Sequence, residues 1–499
     1  MADTQVIRRF SPGMESISAY SGARQRASLS ADVVTGLIKA VDFCLVVAAA
    51  ISAFVFYFGV LGENSSTGDA RRYGLTALLA ATVFVAGFER LGGYQIKRLA
   101  QLRWQVSRVA MMWGITVSAL LFVSFVGKLS GDYSRGWAVG WMAIGLATLM
   151  CGRGLLSLAM TPGVRRRFLT RKIAIIGSGE SCEELIAELQ QSEHESFLIH
   201  GIFDDRGAPR ASAVRGVRLL GNTDELLDFI RHAHVDEVIL AFPPTAGQRL
   251  NMLFDKLTQV AVDVRLAAAP FAAEFPIRGI SHLGSSSLFH IIDRPLKNWN
   301  AVTKFIEDRV LGSLFIVILA PLMAVIALLI KLDSKGPVFF IQERFGYNSK
   351  VIRVIKFRTM HVDRCDISGA QRTIRNDPRV TRIGRILRAL SLDELPQLFN
   401  VLRGEMSLVG PRPHAITMKA GDRLYHEAID RYLNRHRVKP GMTGWAQING
   451  FRGEVDTIEK ARGRLAHDLH YIKSWSIWFD LKILALTLPK MLLTRDQAY

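Results

Sequence analysis

VLGSLFIVILAPLMAVIALLI, residues 310–330, is the stretch whose reading decides on which side of a membrane the rest of the chain lies. About 20 apolar residues are enough to cross a bilayer core, but Pro321 stands in the middle of the run. Proline donates no backbone N–H and clashes with the carbonyl one turn earlier, which predicts a kink. Lys304 and Arg309 precede the run, and Lys331 and Lys335 follow it. Basic residues at both ends favour a helix that enters the bilayer and returns to the same face. The expectation is a re-entrant membrane helix, residues 310–331, broken at Pro321. A kinked fifth span is the alternative.

Upstream, residues 41–61, 73–94, 109–127 and 137–160 are apolar stretches of spanning length, which predicts a four-helix transmembrane bundle over residues 31–165. Arg24, Arg26 and Lys39 precede the first stretch. Lys97, Arg98, Arg103 and Arg108 separate the second from the third, and Arg165, Arg166, Arg167, Arg171 and Lys172 follow the fourth. The other two loops hold fewer positive charges and include Glu63, Asp69 and Asp132. Positive charge on the cytoplasmic side then places both ends of the bundle in the cytoplasm. A fifth crossing would carry everything after Lys331 outside. Few charges fall within the spans, with Glu89 and Arg90 near one end, so the bundle reads as an anchor and dimerisation element, and a homodimer is allowed. Residues 1–30 are polar and Arg-rich without an apolar core, and read as a cytoplasmic tail rather than a cleaved signal peptide.

The 499 residues exceed one ordinary domain. They are 49% apolar, with 63 Lys and Arg against 44 Asp and Glu, a formal charge of +19. Oily and basic together suit membrane lipid and a phosphorylated substrate, with no nucleic acid partner expected. Cys44, Cys151, Cys182 and Cys365 have no C-x-x-C spacing, which argues against a disulfide framework or a zinc site.

From residue 171 the pattern alternates between short β-branched runs and helical ones: KIAIIG (172–177), SCEELIAELQ (181–190), LIHGIFDD (198–205), TDELLDFIRH (223–232) and DEVILAF (236–242). This predicts a Rossmann-like, parallel, doubly wound domain over 171–290, making the chain a membrane α/β protein. Gly177, Gly179, Asp204 and Asp205 sit where a dinucleotide fingerprint would have them, but Cys182 replaces the third glycine, so a structural remnant is favoured over a bound nucleotide.

The chemistry gathers further on, in SLDELPQLFNVLRGEMSLVGPRP (391–413), where Asp393 and Glu394 are adjacent. Paired acids are common on solvated helix starts. Ser391 and Glu394 have capping-box spacing, while Pro396 would itself suit a first helical turn, and either start places the acids at a helix N-terminus. Free N–H groups there stabilise a carboxylate and attract phosphate oxygens, as an aspartate attacking phosphorus would need. The preceding segment, about 381–390, sets Ile383, Ile386, Leu387 and Leu390 opposite Arg382, Arg385 and Arg388, a helix for the membrane surface or the protein core. Lys356 and Arg358 in IKFRTM (355–360), Arg379 in NDPRVTR (376–382) and Arg412 flank the acids. Phosphoryl transfer needs such cations, and a divalent metal, to neutralise phosphate oxygens. The aromatics Trp475, Trp478 and Phe479 beside Leu481, Ile483 and Leu484 suit an interfacial helix near the C-terminus.

The strings LDSKGPVFFIQERFG (332–346), IKFRTM, DELPQLFNVLRGEMSLVGPRP, KPGMTGWAQINGF (439–451) and HYIKSWSIWFDLKI (470–483), in this order, resemble the bacterial sugar transferases, the monotopic polyprenyl-phosphate phosphoglycosyl transferases. The resemblance is specific over residues 298–499, a C-terminal α-rich catalytic domain. With four spans and a Rossmann-like domain in front, the layout is similar to the large members, of undecaprenyl-phosphate glucose or galactose phosphotransferase type. It implies that hexose 1-phosphate, preferably glucose 1-phosphate, moves from a UDP-hexose donor to the acceptor undecaprenyl phosphate with release of UMP, the initiating step of exopolysaccharide, capsule or O-antigen synthesis. The enzyme would be a multi-pass protein of the bacterial inner membrane, its catalytic domain facing the cytoplasm.

Carried over by position, Asp393 would be the nucleophile forming a phospho-aspartyl intermediate. Asp393 and Glu394 would hold Mg2+, or Glu394 would handle the acceptor. Arg412 would bind a phosphate, and Lys356, Arg358 and Arg379 would line the phosphate or nucleotide path. Gln447 in GWAQ and Asp468 in AHDLHY fall in motifs of the same family. Small relatives tend to have Ser-Pro at the helix break, where this chain has Ala320 before Pro321. Two rivals remain. A membrane-bound sugar-nucleotide dehydratase or epimerase would need a second intact glycine motif and a Tyr-x-x-x-Lys pair, neither of which is convincing here. The other is an inactive membrane scaffold of polysaccharide assembly.

Overall fold

A computed structural model describes residues 30–493 except 61–66, 100, 130, 132, 161–169, 192–196, 207–212, 243–246, 268–278, 284–285, 363–376, 417–418, 421–422, 425–428, 430 and 452–456. The expected tail before residue 30, the loop charges Glu63, Asp132, Arg165, Arg166 and Arg167, and Cys365 lie outside the described residues. The chain divides into two compact units, one of Ala27–Arg171 with Glu193–Leu198, the other of Lys172–Ser192 with Ile199–Tyr499.

The first unit is built on four long helices, α1 (Ala31–Phe54), α2 (Thr67–Arg90), α3 (Leu102–Val126) and α4 (Arg135–Ala159). Ser30 caps the start of α1 and Ser134 that of α4, each hydroxyl accepting from a backbone N–H in the first turn. A π turn, Val55–Val60, extends α1, and Asp32–Val60, α3 and α4 are long and apolar enough to cross a membrane. The interior is aromatic. Phe84, Phe88, Trp113, Trp137 and Trp141 are buried, and the two indoles of α4 donate to the Ala50 and Val46 carbonyls of α1 at 3.2 Å. Two charges inside the expected spans, not singled out by the sequence reading, are also buried: Arg153 pairs with Asp42, and the Tyr94 hydroxyl donates to the same carboxylate at 2.8 Å. Pairing and hydrogen bonding are what allow such charges to stay buried.

The second unit begins with an eight-stranded sheet of order β3-β4-β2-β1-β5-β6-β8-β7. The strands are β1 (Arg171–Ile176), β2 (Phe197–Phe203), β3 (Ala213–Val214), β4 (Val217–Gly221), β5 (Glu237–Leu240), β6 (Asp263–Leu266), β7 (Ile280–Leu283) and β8 (Ser286–Ile292). The helices α5 (Glu180–Gln191), α6 (Thr223–His232) and α7 (Gly247–Leu257) connect them. Pairs β2–β4, β1–β5 and β5–β6 are parallel, while β3, β7 and β8 pair antiparallel. The sheet is therefore mixed rather than parallel throughout, because its edge strands arrive through hairpins. At the end of β1, Gly177 has φ +112°, and a Cβ there would lie 2.4 Å from the Ala241 carbonyl oxygen. Asp204, at the fingerprint's acidic position, accepts from Ser178 N at 2.9 Å and pairs with Arg206 and Arg249 at 2.7 and 2.9 Å.

Residues 298–333 form one helix, α8 (Asn298–Asp333), with Pro321 inside it. The expected break at Pro321 is not an interruption of the helix. Leu311, Phe315, Ile316 and Leu319 before the proline and Met323, Ile326 and Ile330 after it are packed against the catalytic domain. Packing thus holds both halves, and proline removes only the donor that would have met the Val317 carbonyl. At about 1.5 Å per residue α8 is about 54 Å long. It too is long and apolar enough to cross a membrane.

Beyond α8 come the ribbon β9 (Phe339–Phe345) and β10 (Val351–Phe357), α9 (Arg382–Ala389), α10 (Gln397–Arg403), the short pair β11 (Ser407–Val409) and β12 (Gly441–Thr443), and the final helices α11 (Ile458–Ser474) and α12 (Ile477–Leu493). Leu387 of α9 is buried with Ile383 against Met323, Ile326 and Phe357, whereas Ile386 is exposed. Gly384 of α9 meets the backbone of Thr359 so closely that a Cβ would lie 2.1 Å from its carbonyl oxygen. Overpacking of this kind costs about 1–3 kcal/mol. Gly384→Ala is therefore expected to lower the thermal unfolding temperature of the detergent-solubilised protein; an unchanged transition would refute the contact.

Candidate active site

Asp393 and Glu394 lie in one 3-10 turn, Leu392–Glu394, between α9 and α10. Of the two helix starts that the sequence allows, the capping box does not form, since Ser391 is left-handed, with φ 52°, and makes no side-chain cap, and α10 begins instead behind Pro396 as its N-cap. The acids thus lie in the turn just before the N-terminus of the seven-residue α10, where cations that tertiary structure brings in also act on them.

Glu394 is gripped on both oxygens. Oε1 accepts from Lys356 Nζ at 2.8 Å and Arg412 Nη2 at 2.5 Å, and Oε2 from Arg412 Nη1 at 3.0 Å. Burial alone would raise its pKa, but Arg412 and then Lys356 outweigh burial and hold the carboxyl well below its usual range. Arg412 is held more firmly protonated by Glu394. Lys356 is lowered by burial, against which Glu394 works. Asp393 stands in contrast: among the described residues no hydrogen bond reaches its side chain. Burial raises its pKa, Lys356 opposes this and the neighbouring Glu394 adds to it.

Strand alternation places Lys356. It shares the inner face of the ribbon with Val354, Gln342 and Arg344, because Val354 pairs with Gln342 and Lys356 with Phe340. Arg344 was missed by the sequence reading, although the period-two pattern of FFIQERF contains the signal. It donates to Gln342 Oε1 at 2.9 Å and to the Pro413 carbonyl at 2.6 Å, and burial together with the charge of Arg412 lowers its pKa to about 10. Arg388, read from sequence only as the polar side of a surface helix, donates to Thr359 Oγ1 at 2.8 Å and is among the charges acting on Asp393.

Arg412 reaches the site on the segment after β11, where two chain segments cross with almost no space. A Cβ on Gly410 would come 2.6 Å from the Lys439 oxygen, on Gly441 2.0 Å from Gly410 N, and on Gly444 2.2 Å from the Gly410 oxygen. The glycines of VGPRP and KPGMTGWAQ thus allow one close crossing.

The remaining expected site residues have other partners. Arg358 is buried and donates to the Pro337 carbonyl at 2.6 Å, the Ser334 hydroxyl and carbonyl at 2.8 and 2.9 Å, and the Lys335 carbonyl at 3.0 Å. It closes the end of α8 rather than lining a phosphate path. Arg379 is neutralised by Asp377, at 2.9 and 2.6 Å. Gln447 donates to the Met442 carbonyl at 3.3 Å beside the glycine crossing, and its own Oε1 is buried with no hydrogen-bond partner among the described residues. Asp468 is buried in an ion pair with Arg435 at 2.8 Å.

The arrangement presents one ionised acid saturated by cations beside one acid without a hydrogen bond, which suits attack by Asp393 on phosphorus. A magnesium ion fits only in part. No group of three or more acids, histidines and cysteines is gathered among the described residues, and Glu394 is saturated. A Mg2+ bound through one carboxylate and the substrate's own phosphates needs no more than Asp393.

A family model described as "Bacterial sugar transferase" matches residues 299–494, and one described as "CoA-binding domain" matches residues 89–268. The chain is 39% identical over 431 residues to the undecaprenyl-phosphate glucose phosphotransferase of Komagataeibacter xylinus, covering 84% of this chain and 78% of that one. It is 34% identical to the UDP-glucose:undecaprenyl-phosphate glucose-1-phosphate transferase of Escherichia coli, covering 83% and 88%, and 32% identical to the protein of that name in Xanthomonas campestris, covering 93% and 94%.

The geometry separates two neighbouring cations. Lys356→Met is expected to lower turnover by about a hundredfold or more, as loss of a charge aimed at a reacting centre does, with little change in thermal unfolding. Arg358→Lys is expected to do the reverse, because it loses the fork that holds the end of α8; the two profiles are read by steady-state assay and a melting curve.

Proposed function

As the chain belongs to the bacterial sugar transferases, we propose that it transfers glucose 1-phosphate from UDP-glucose to undecaprenyl phosphate through a phosphorylated Asp393. The enzyme carries out the initiating hexose-phosphate transfer, giving undecaprenyl-diphosphate-hexose and UMP. In the first half-reaction a carboxylate oxygen of Asp393 attacks the phosphorus that bears the sugar. The bond to the bridging oxygen breaks, and UMP leaves with the electron pair. In the second, a phosphate oxygen of undecaprenyl phosphate attacks the same phosphorus and frees the Asp393 carboxylate. The contrast between the two acids supports this order: Glu394 is occupied by Lys356 and Arg412, and Asp393 is free of hydrogen bonds among the described residues.

Each half-reaction exchanges similar bonds, so positioning and charge supply most of the acceleration. Lys356 and Arg412 keep donors beyond those spent on Glu394 and can meet phosphate oxygens, with Arg344 and Arg388 adding positive potential. Mg2+ on the donor diphosphate would take its protein oxygen from Asp393 and neutralise the leaving phosphate.

The same proposal places the catalytic domain on the cytoplasmic face of the inner membrane, with α8 re-entrant. Both ends of α8 are tied to that one domain. At its start Lys304 pairs with Asp480 at 2.6 Å, and Asp308 accepts from Leu408 N at 3.0 Å. At its end Asp333 accepts from Ile383 N at 3.1 Å, and Arg358 holds the residues that follow. A crossing helix would divide this domain between the two sides of the bilayer. The exposed side chains of Val310, Leu314, Val317, Val325 and Leu328 would meet lipid.

With UDP-glucose alone, the purified protein is expected to release UMP in a burst equal to enzyme and to carry a phosphosugar on Asp393 that hydroxylamine removes. Asp393→Asn is expected to lose more than about a thousandfold in UMP release, and undiminished release would sink the nucleophile. For topology, Asn300→Cys and Lys335→Cys in a cysteine-free background should both react with an impermeant maleimide from the cytoplasmic face. Labelling of Lys335→Cys only from the opposite face would mean that α8 crosses.

A further inference from the structure

Residues 411–414, which deliver Arg412, contain two prolines and so bring few donors of their own, yet each carbonyl along them is held. The Pro411 oxygen accepts from Gly441 N at 2.9 Å, that of Arg412 from Arg435 Nη2 at 2.7 Å, that of Pro413 from Arg344 Nη1 at 2.6 Å, and that of His414 from Phe345 N at 3.2 Å. The holder at Arg412 itself is thus a side chain from more than twenty positions along the chain.

Arg435 is only 2% exposed and is fixed on every edge. Nε and Nη2 bind Asp468 Oδ2 at 3.0 and 2.8 Å, while Nη1 approaches His414 Nδ1 at 2.8 Å and the Tyr432 hydroxyl at 3.2 Å. Asp468 is equally buried, and neither residue is hydrogen-bonded or ion-paired to Asp393 or Glu394 among the described residues. A buried ion pair is weak evidence for stability, since desolvation consumes most of the Coulombic gain and an apolar pair can pack as well. A guanidinium provides something an apolar pair cannot: a rigid planar fork that binds a carboxylate on one edge and a carbonyl on another.

We propose that Arg435, oriented by Asp468, is a positioning residue of the reaction. It fixes the main chain at Arg412 and thereby the guanidinium that grips Glu394 beside Asp393. This role rests on the reading of Asp393, Glu394 and Arg412 as the reacting centre. Asp468 then serves the site from behind, one residue removed from the chemistry.

The test is a double-mutant cycle on the full-length protein in detergent, reading single-turnover UMP release from UDP-glucose and thermal unfolding. Arg435→Lys keeps the buried charge but cannot hold Asp468 and the Arg412 carbonyl together. It is expected to slow release by about tenfold or more in the parent, and by no more than about twofold in an Arg412→Lys background, because a residue acting through Arg412 has little left to lose. Equal losses in both backgrounds, or no loss in a folded Arg435→Lys protein, overturn the proposal. Should that variant unfold, Arg435→Met with Asp468→Asn leaves no unpaired buried charge and is read the same way; unfolding of both assigns the pair to stability and also overturns it. Asp393→Asn runs alongside. An active Asp393→Asn enzyme sinks the reading of the centre itself, whereas an inactive one with equal losses from Arg435→Lys sinks only the positioning role.

Discussion

Lys356, Arg344 and Arg412 converge in a partly buried space, and the carboxylate of Glu394 is what allows them to remain there. Like charges brought together away from water repel and are poorly solvated, so the cluster holds only while an anion sits among them. Glu394 meets this need with both oxygens, Lys356 on one and Arg412 across the two. The same grip separates the two neighbouring acids. One is held as an anion, and the other has no hydrogen bond among the described residues, with Lys356 opposing the rise in its pKa that burial causes.

The surrounding elements bear on that cluster. The ribbon β9–β10 supplies Lys356 and Arg344 from a single face, the glycine crossing of β11 and β12 brings up Arg412, and α9 brings Arg388. Helix α8 underlies them, its first half packed with α10 and β11 and its second half with Phe357 and α9. Arg358 joins the two systems, for the residue two places after Lys356 closes the end of α8. A long apolar helix and the lysine that grips Glu394 are thus packed into one unit.

Much of this was legible in the residues. Apolar runs of the right length located α1, α3, α4 and α8, and alternation of β-branched and helical segments located the sheet domain. The adjacency of Asp393 and Glu394 among arginines pointed to phosphoryl chemistry. What escaped has a common cause. Arg358 and Lys356 lie two residues apart and look equivalent in sequence, but Lys356 lies on the ribbon's inner face toward Glu394, while Arg358 stands just past the strand's last residue and turns to the end of α8. Asp468, charged within a family motif, is paired with Arg435, which lies 33 residues away and leaves no local pattern, while Arg379 is paired with its near neighbour Asp377. Arg153 and Asp42 went unremarked because an ion pair between helices more than a hundred residues apart leaves no local pattern.

The sequence by itself determined the family, the membrane-seeking segments and the identity of the paired acids, because hydrophobic length, periodicity and short motifs are local properties. The packing of distant segments settled which cations reach Glu394, that no hydrogen bond reaches Asp393 among the described residues, that Pro321 is carried within a continuous helix, and that Asp468 pairs with Arg435. Those are matters of distance between segments far apart in the chain, and burial, which sets both charge pairing and helix continuity, exists only once the segments have packed.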